Sequence, residues 1–188
     1  MRWNIVSRLF LVAVIAAALP ATAVEHAVAG TVTKVDSAAK TIAVKTADGA
    51  EHVFKFTEHT TVHAAQDIGH AAKAGAVDSY LAGKKGAQVV VHYTGEGAEK
   101  TAVGVDDLGK GTVKASKGTV TGIDRAGHTM TVKTESGAEE TYHVAEDATV
   151  DTKDGVVKGA EYAEKGAKVT VHYTVEGGQK VAHFIKHL

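Results

Sequence analysis

The chain contains no cysteine, and its single proline (Pro20) and single tryptophan (Trp3) both lie near its start. Without cysteine there are no disulfides, no thiolate metal sites and no thiol chemistry, so the fold must stand on its apolar core. Aromatic residues make up only 5%, and neither sign of charge dominates, with 21 Lys and Arg against 22 Asp and Glu. Proteins that bind nucleic acid draw their affinity from cations clustered on phosphate, and this balance argues against such a partner. No apolar run reaches the roughly twenty residues that a membrane-spanning helix needs.

The longest apolar run, Leu9 to Leu19, follows Arg2 and Arg8 and precedes Pro20-Ala21-Thr22-Ala23. Positive start, short apolar stretch and small residues at the last and third-last positions read as a secretory signal peptide over 1–23, cleaved after Ala23. The expected location is periplasmic or secreted, with no membrane span once the leader is removed. The arginines are separated, so a twin-arginine signal is not indicated, and no cysteine can carry a lipid.

The remaining chain repeats itself. Gly30-Thr31-Val32-Thr33-Lys34-Val35-Asp36 returns as Gly118-Thr119-Val120-Thr121-Gly122-Ile123-Asp124, and the match runs without a gap to Val62 and Val150. It resumes with Gly86 to Thr94 against Gly166 to Thr174. A repeat of this length marks a duplicated structural unit, which gives a first domain over 24–108, a linker over 109–117 and a second domain over 118–188. Each half is close to the size at which an apolar core suffices without cross-links.

Within each half, Thr41–Thr46 and Thr129–Thr134 alternate with period two, which predicts strands with Ile42, Val44, Met130 and Val132 facing inward. Asp48-Gly49 and Ser136-Gly137 signal hairpin turns. A third strand carries Phe54 and Phe56, or Tyr142 and Val144, and continues through short extended pieces at Thr61-Val62 and Thr149-Val150. The Ala-rich stretch from Ala64 to Gly83 lacks alternation and predicts a helix, weakened by Gly69 and Gly75, with a shorter equivalent over Val157 to Glu164. A last hairpin joins Val89–Thr94 to Lys100–Val105. Three strands, a helix and two strands predict a mainly β chain of two tandem OB-like five-stranded barrels, with SH3-like barrels as the alternative.

The motifs Gly-Thr-Val-Thr-x-x-Asp, Lys/His-Thr-x-x-Val-Lys-Thr, Lys-Gly-Ala-x-Val-x-Val-His-Tyr-Thr and Glu-Gly-x-x-Lys resemble the bacterial domain-of-unknown-function family numbered 5666. The resemblance covers both repeats and implies exported small β-barrels without established catalytic residues. The first copy departs from that pattern at Val77-Asp78-Ser79-Tyr80-Leu81. The topology is also similar to small periplasmic copper-binding barrels of metal-efflux systems, which use Met, Trp and His ligands. Here only Met130 remains beyond the leader, at an inward position, and no Trp does, so that Cu(I) chemistry does not transfer.

Eleven histidines are the one excess that suggests chemistry, since imidazole suits zinc, copper and nickel. His59 and His63 are four apart, with His70 near enough to join them, and the second copy places Asp147, Asp151 and Lys158 in that region. His183 and His187 show the same spacing. His92 and His172 recur between copies, between Val91 and Tyr93 and between Val171 and Tyr173, so alternation sends their rings away from the packed face. Cleavage after Ala23 would leave Val24-Glu25-His26, whose amine, two amides and imidazole can enclose Cu(II) or Ni(II) in a square plane. The candidate metal residues are therefore His26, His59, His63, His183 and His187.

Catalysis has little support. No Gly-x-Ser-x-Gly, His-Glu-x-x-His or phosphate-binding glycine loop is present. Asp106-Asp107 and Glu139-Glu140 are adjacent pairs whose members point to opposite faces of a strand, and they read as solvated charge. The expected function is a non-enzymatic binding or structural module of the cell envelope, acting on an envelope partner or small ligand through surface loops or the cleft between barrels, with no cofactor. The alternative is a periplasmic Cu(II), Ni(II) or Zn(II) binder.

Overall fold

The computed structural model describes residues 23–64, 77–109, 113–158 and 164–188. The leader up to Thr22, His70 and part of the expected first helix lie outside these. The first half comprises β1 (His26–Asp36), β2 (Thr41–Lys45), β3 (Glu51–Lys55), β4 (Thr61–Ala64), α1 (Val77–Ala82), β5 (Gln88–Thr94) and β6 (Thr101–Gly109). The second comprises β7 (Lys114–Asp124), β8 (Thr129–Thr134), β9 (Glu139–Thr152), β10 (Gly155–Lys158), β11 (Lys168–Glu176) and β12 (Gln179–His187).

Each half closes on itself. In the first, β2 pairs with β1 and β3, β1 with β5, and β5 with β6, while β3 and β4 return to β6 in parallel. In the second, β9 completes the ring by pairing antiparallel with β8 and parallel with β12. Parallel closure of the third strand on the last gives the OB order and decides against the SH3-like alternative. Closure also leaves few open edges for other strands to join.

The cores follow the alternation. Ile42, Val44 and Phe54 are fully buried with Val62, Val91 and Leu81 in the first barrel, and Met130, Val132 and Tyr142 with Val150, Val171 and Ile185 in the second. The repeated glycine has a steric cause. A Cβ on Gly30 would lie 2.5 Å from the Lys45 carbonyl oxygen, and one on Gly118 would lie 2.3 Å from that of Lys133. Just beyond each glycine the first strand carries a register shift, at Val32/Lys34 and at Val120/Gly122. Such a bulge bends the strand so that one continuous segment turns a barrel corner.

Two expectations are corrected. Val157 and Lys158 belong to strand β10 and not to a helix, because β9 runs unbroken to Thr152 and the Asp154-Gly155 turn returns β-branched Val156 and Val157 along it. The rest of that expected helix, 159–163, lies outside the described residues. The segment read as linker is also partly strand, since β7 starts at Lys114 and pairs Lys114–Lys117 with Thr170–Tyr173 of β11.

Replacing Gly30 or Gly118 by Ala pushes a methyl group into a backbone carbonyl that cannot swing aside. Each change is expected to lower stability by about 1–3 kcal/mol. Gly122→Ala, whose Cβ would meet only ordinary contacts at 3.6 Å, should change it little. Urea unfolding midpoints at constant m-value measure both.

Candidate functional site at the seam between the barrels

The outer faces of the barrels are not all solvated. Ala27 and Ala29 of β1 and Val90 of β5 are buried against Phe184 of β12, with Leu108 and Val156 at the edge. β1 is thus covered on both sides, its Val32 in the first core and its two alanines in the seam. The main chain crosses the seam as well, where the Val156 N–H donates to the Glu25 carbonyl at 2.9 Å.

Beside this apolar contact lies a polar network. His92 is only 1% exposed. Its Nδ1 sits 3.1 Å from Glu25 Oε1 and its Nε2 2.7 Å from Asp106 Oδ2. With a carboxylate oxygen at each ring nitrogen, only an imidazolium, with a proton on both, donates to both. His63 Nδ1 takes the other oxygen of Asp106 at 3.0 Å. In the second barrel, Asp151 accepts from Lys186 Nζ at 2.8 Å and lies 3.2 Å from His26 Nδ1.

The two networks occupy matching places with charges exchanged. His63 faces Asp106 across the parallel β4–β6 pair, and Asp151 faces Lys186 across the parallel β9–β12 pair. His92 and His172 stand at the same point of β5 and β11, opposite Gly104 and Phe184 respectively. In the first barrel an anion holds two imidazoles. In the second a cation sits near one imidazole. Burial chiefly, and Lys186 in addition, pull the His172 pKa down to about 4 from 6.5, so this ring stays neutral, while His92 has a carboxylate oxygen at each nitrogen.

A cleft of about 260 Å³ opens along the seam. The first barrel contributes Val28, Ala29, His52 and Tyr93, and the second Thr170, His172, Phe184, Lys186 and Leu188, with Lys117 and Asp48 at the rim. His172 lies over Phe184 with ring centres 5.4 Å apart. Burial also lowers the His52 pKa, with Lys100 and Lys186 adding to it against Asp48, and raises that of the Tyr93 phenol. Three titratable groups shifted by desolvation in one mainly apolar cleft make it the leading candidate site.

The residues singled out in the sequence fall differently. His59 sits on the Thr57–Thr60 turn, 88% exposed beside Glu58, while His63 lies on β4 against Asp106. The four-residue spacing does not join them, because the strand is interrupted by that turn. His183 contacts Thr174 Oγ1 at 2.8 Å, whereas His187 Nε2 is buried with no partner. A bulge in β12 puts both Ala182 and Ile185 in the core, so the two histidines leave on opposite faces. His26 opens β1 opposite Tyr93. To enclose a metal with its own amides it would have to release Asp151 and leave that pairing. Among the described residues no three His, Cys, Asp or Glu are grouped to hold a metal ion. Around Asp106 the imidazoles bind the carboxylate itself and do not converge on a void.

The carboxylate pairs are also corrected in part. Asp106 and Asp107 do point to opposite faces, but neither is simply solvated. Asp107 is 4% exposed and accepts from Tyr80 Oη at 2.7 Å, Lys84 Nζ at 2.8 Å and the Gly109 N–H at 2.8 Å. Burial pushes its carboxyl up, yet these donors together hold it below the usual value. Glu140 pairs with Lys180 at 2.6 Å, and only Glu139 is exposed. Sequence reasoning missed Glu25, Lys186 and the seam role of Asp151. The signal available was that His63 and Asp106 change together, to Asp151 and Lys186.

No family model matches the chain, and no curated protein matches it in sequence. Among solved structures it is similar to Ag(I)-bound CusF, with 15% identity, 41% of this chain and 99% of that one covered, and a TM-score of 0.33. It is similar to apo-CusF from Escherichia coli at 15% identity over 41% and 88%, again with a TM-score of 0.33. At this identity and TM-score the likeness carries no argument about this chain. Among the described residues, no helix is long and apolar enough to cross a membrane.

Two outcomes test the seam. Below pH 6.5 the unfolded chain protonates His172, while the folded chain resists until about pH 4. Stability from this group is therefore complete above pH 6.5 and lost progressively as pH falls toward 4, by about 1–3 kcal/mol in total. Melting curves between pH 7 and 4.5 should show this slope, and His172→Gln should flatten it. Second, Asp106→Lys alone sets an ammonium against His63 and His92 and should cost about 2–4 kcal/mol. Adding His63→Asp copies the second barrel's arrangement and should restore at least half of that loss in a double-mutant cycle.

Proposed function

We propose that the protein is an exported, non-enzymatic binding module of the cell envelope, in which two OB barrels act as one body and take a small ligand into the cleft between them. One observation carries this reading: the cleft draws its walls from both barrels and gathers His52, Tyr93 and His172, whose ionisation burial disfavours. Enclosed apolar walls with a few converging polar groups are the usual form of a small-molecule site. Catalysis would need a nucleophile and a base within reach of each other. The contacts described at the seam, His92 with Glu25 and Asp106 and His63 with Asp106, pair imidazole with carboxylate. The repeat motifs support membership of the exported barrel family numbered 5666, and the leader supports the location.

The test is a titration of ¹⁵N-labelled mature protein with the dialysable fraction of an envelope extract. Amide shifts are expected at Ala29, Tyr93, Thr170, His172 and Phe184, and shifts confined to other regions would count against the cleft. A parallel calorimetric titration with Cu(II), Ni(II) and Zn(II) examines the metal alternative. Saturable sub-micromolar uptake, lost in His26→Ala or His63→Ala, would transfer the function to metal binding.

A further inference from the structure

The cleft has a charge character that its counterpart in the first barrel lacks. Among its lining residues is Lys186, at the position where the first barrel has Asp106. The positive field of Lys186 reaches each of the three shifted groups, depressing His172 and His52 and opposing the rise at Tyr93. Its ammonium uses one contact on Asp151 at 2.8 Å and stays 41% exposed, so donors remain for a second partner. Lys117 at the rim forms no ion pair with a described residue. The one lining side chain that is a carboxylate, Asp48, is turned into its own hairpin, where it accepts from Thr46 Oγ1 and the Ala50 N–H. The remaining wall is mainly apolar, formed by Val28, the Tyr93 ring and Leu188, with the buried Phe184 ring behind it.

Size narrows the class further. A volume of about 260 Å³ falls below the roughly 300–1,000 Å³ of sites for drug-sized ligands. It suits a body of about one ring. Resting on the reading of the cleft as the binding site, we infer that its occupant is a small monocarboxylate with an apolar, ring-sized body. The carboxylate is met by Lys186 and Lys117, and the body lies against Val28, the Tyr93 ring and Leu188. A cation that meets a charged ligand group gives a charge-assisted hydrogen bond stronger than a neutral one, while the neutral His172 ring and the Tyr93 hydroxyl supply polar contacts without adding charge.

Phenylacetate is a probe of this size, and phenylacetamide matches its shape without the charge. In a ¹H–¹⁵N titration at pH 7, phenylacetate is expected to shift Ala29, Thr170, His172 and Phe184 with a Kd on the order of 0.1–1 mM. The amide should bind at least fivefold more weakly. Lys117→Met, and the pair change Lys186→Met with Asp151→Asn that leaves no buried charge alone, should each reduce phenylacetate binding toward the level of the amide. If the pair change impairs folding, salt dependence replaces it: the advantage of phenylacetate should shrink between 20 mM and 500 mM NaCl as screening sets in. Equal binding of both probes in the cleft would overturn the carboxylate class and leave the binding site standing. Absence of shifts at the cleft with both probes overturns the class too. If the envelope extract also leaves the cleft unshifted, the site itself falls with it.

Discussion

A small barrel ordinarily keeps one face dry and one wet. Here the outer faces of β1, β5 and β12 are dry as well, and most of what is unusual about the molecule follows from that. Once Ala27, Ala29, Val90 and Phe184 exclude water from the seam, any polar group carried on those faces needs a partner within the protein. His92 finds two carboxylates, Asp151 finds a lysine and a histidine, and His172 remains neutral. The histidine content that suggests metal chemistry in the sequence is thus substantially engaged in satisfying a buried contact between the repeats.

The cleft is a by-product of the same contact. Two convex barrels cannot touch along their whole length, and the gap left where they curve apart inherits walls from each. Its chemistry is asymmetric because the repeats have diverged where they meet. Phe184 stands where the first barrel has Gly104, and Lys186 where it has Asp106. The duplicated scaffold supplies the shape, and two substitutions supply the buried apolar backing and the cation.

The barrel interiors were legible because period-two alternation writes the inward face directly, and Ile42, Val44, Met130 and Val132 obeyed it. Gly30 and Gly118 were legible as a repeated motif, though their steric reason needed the crossing strands. The second helix was misread because Val157 and Lys158 lie beyond a turn whose partner strand could not be seen to continue. The histidine pairs were misjudged for a related reason: spacing rules assume an uninterrupted strand, and a turn at Thr57–Thr60 and a bulge in β12 break it. The seam itself was least legible. Alternation correctly sent His92 away from the core, but no local pattern says that a second barrel will cover the outer face. The trace it left was the joint change of His63 and Asp106 to Asp151 and Lys186, which reads as divergence until the parallel pairing shows them to be neighbours.

That exchange has a bearing on how molecules of this kind avoid confusing one another. Tandem copies of one fold risk trading places, with a barrel from one chain docking where its sibling belongs on another. Glu25 and His26 are neighbours in the chain, yet one answers a histidine in the first barrel and the other an aspartate in the second. With the first barrel in the second one's place, His26 would meet a histidine, the counterpart of Asp151, and lose the carboxylate it faces here. The exchanged charges thus make two faces of one fold chemically unlike, so that Glu25 and His26 each have a distinct counterpart, His92 in one barrel and Asp151 in the other.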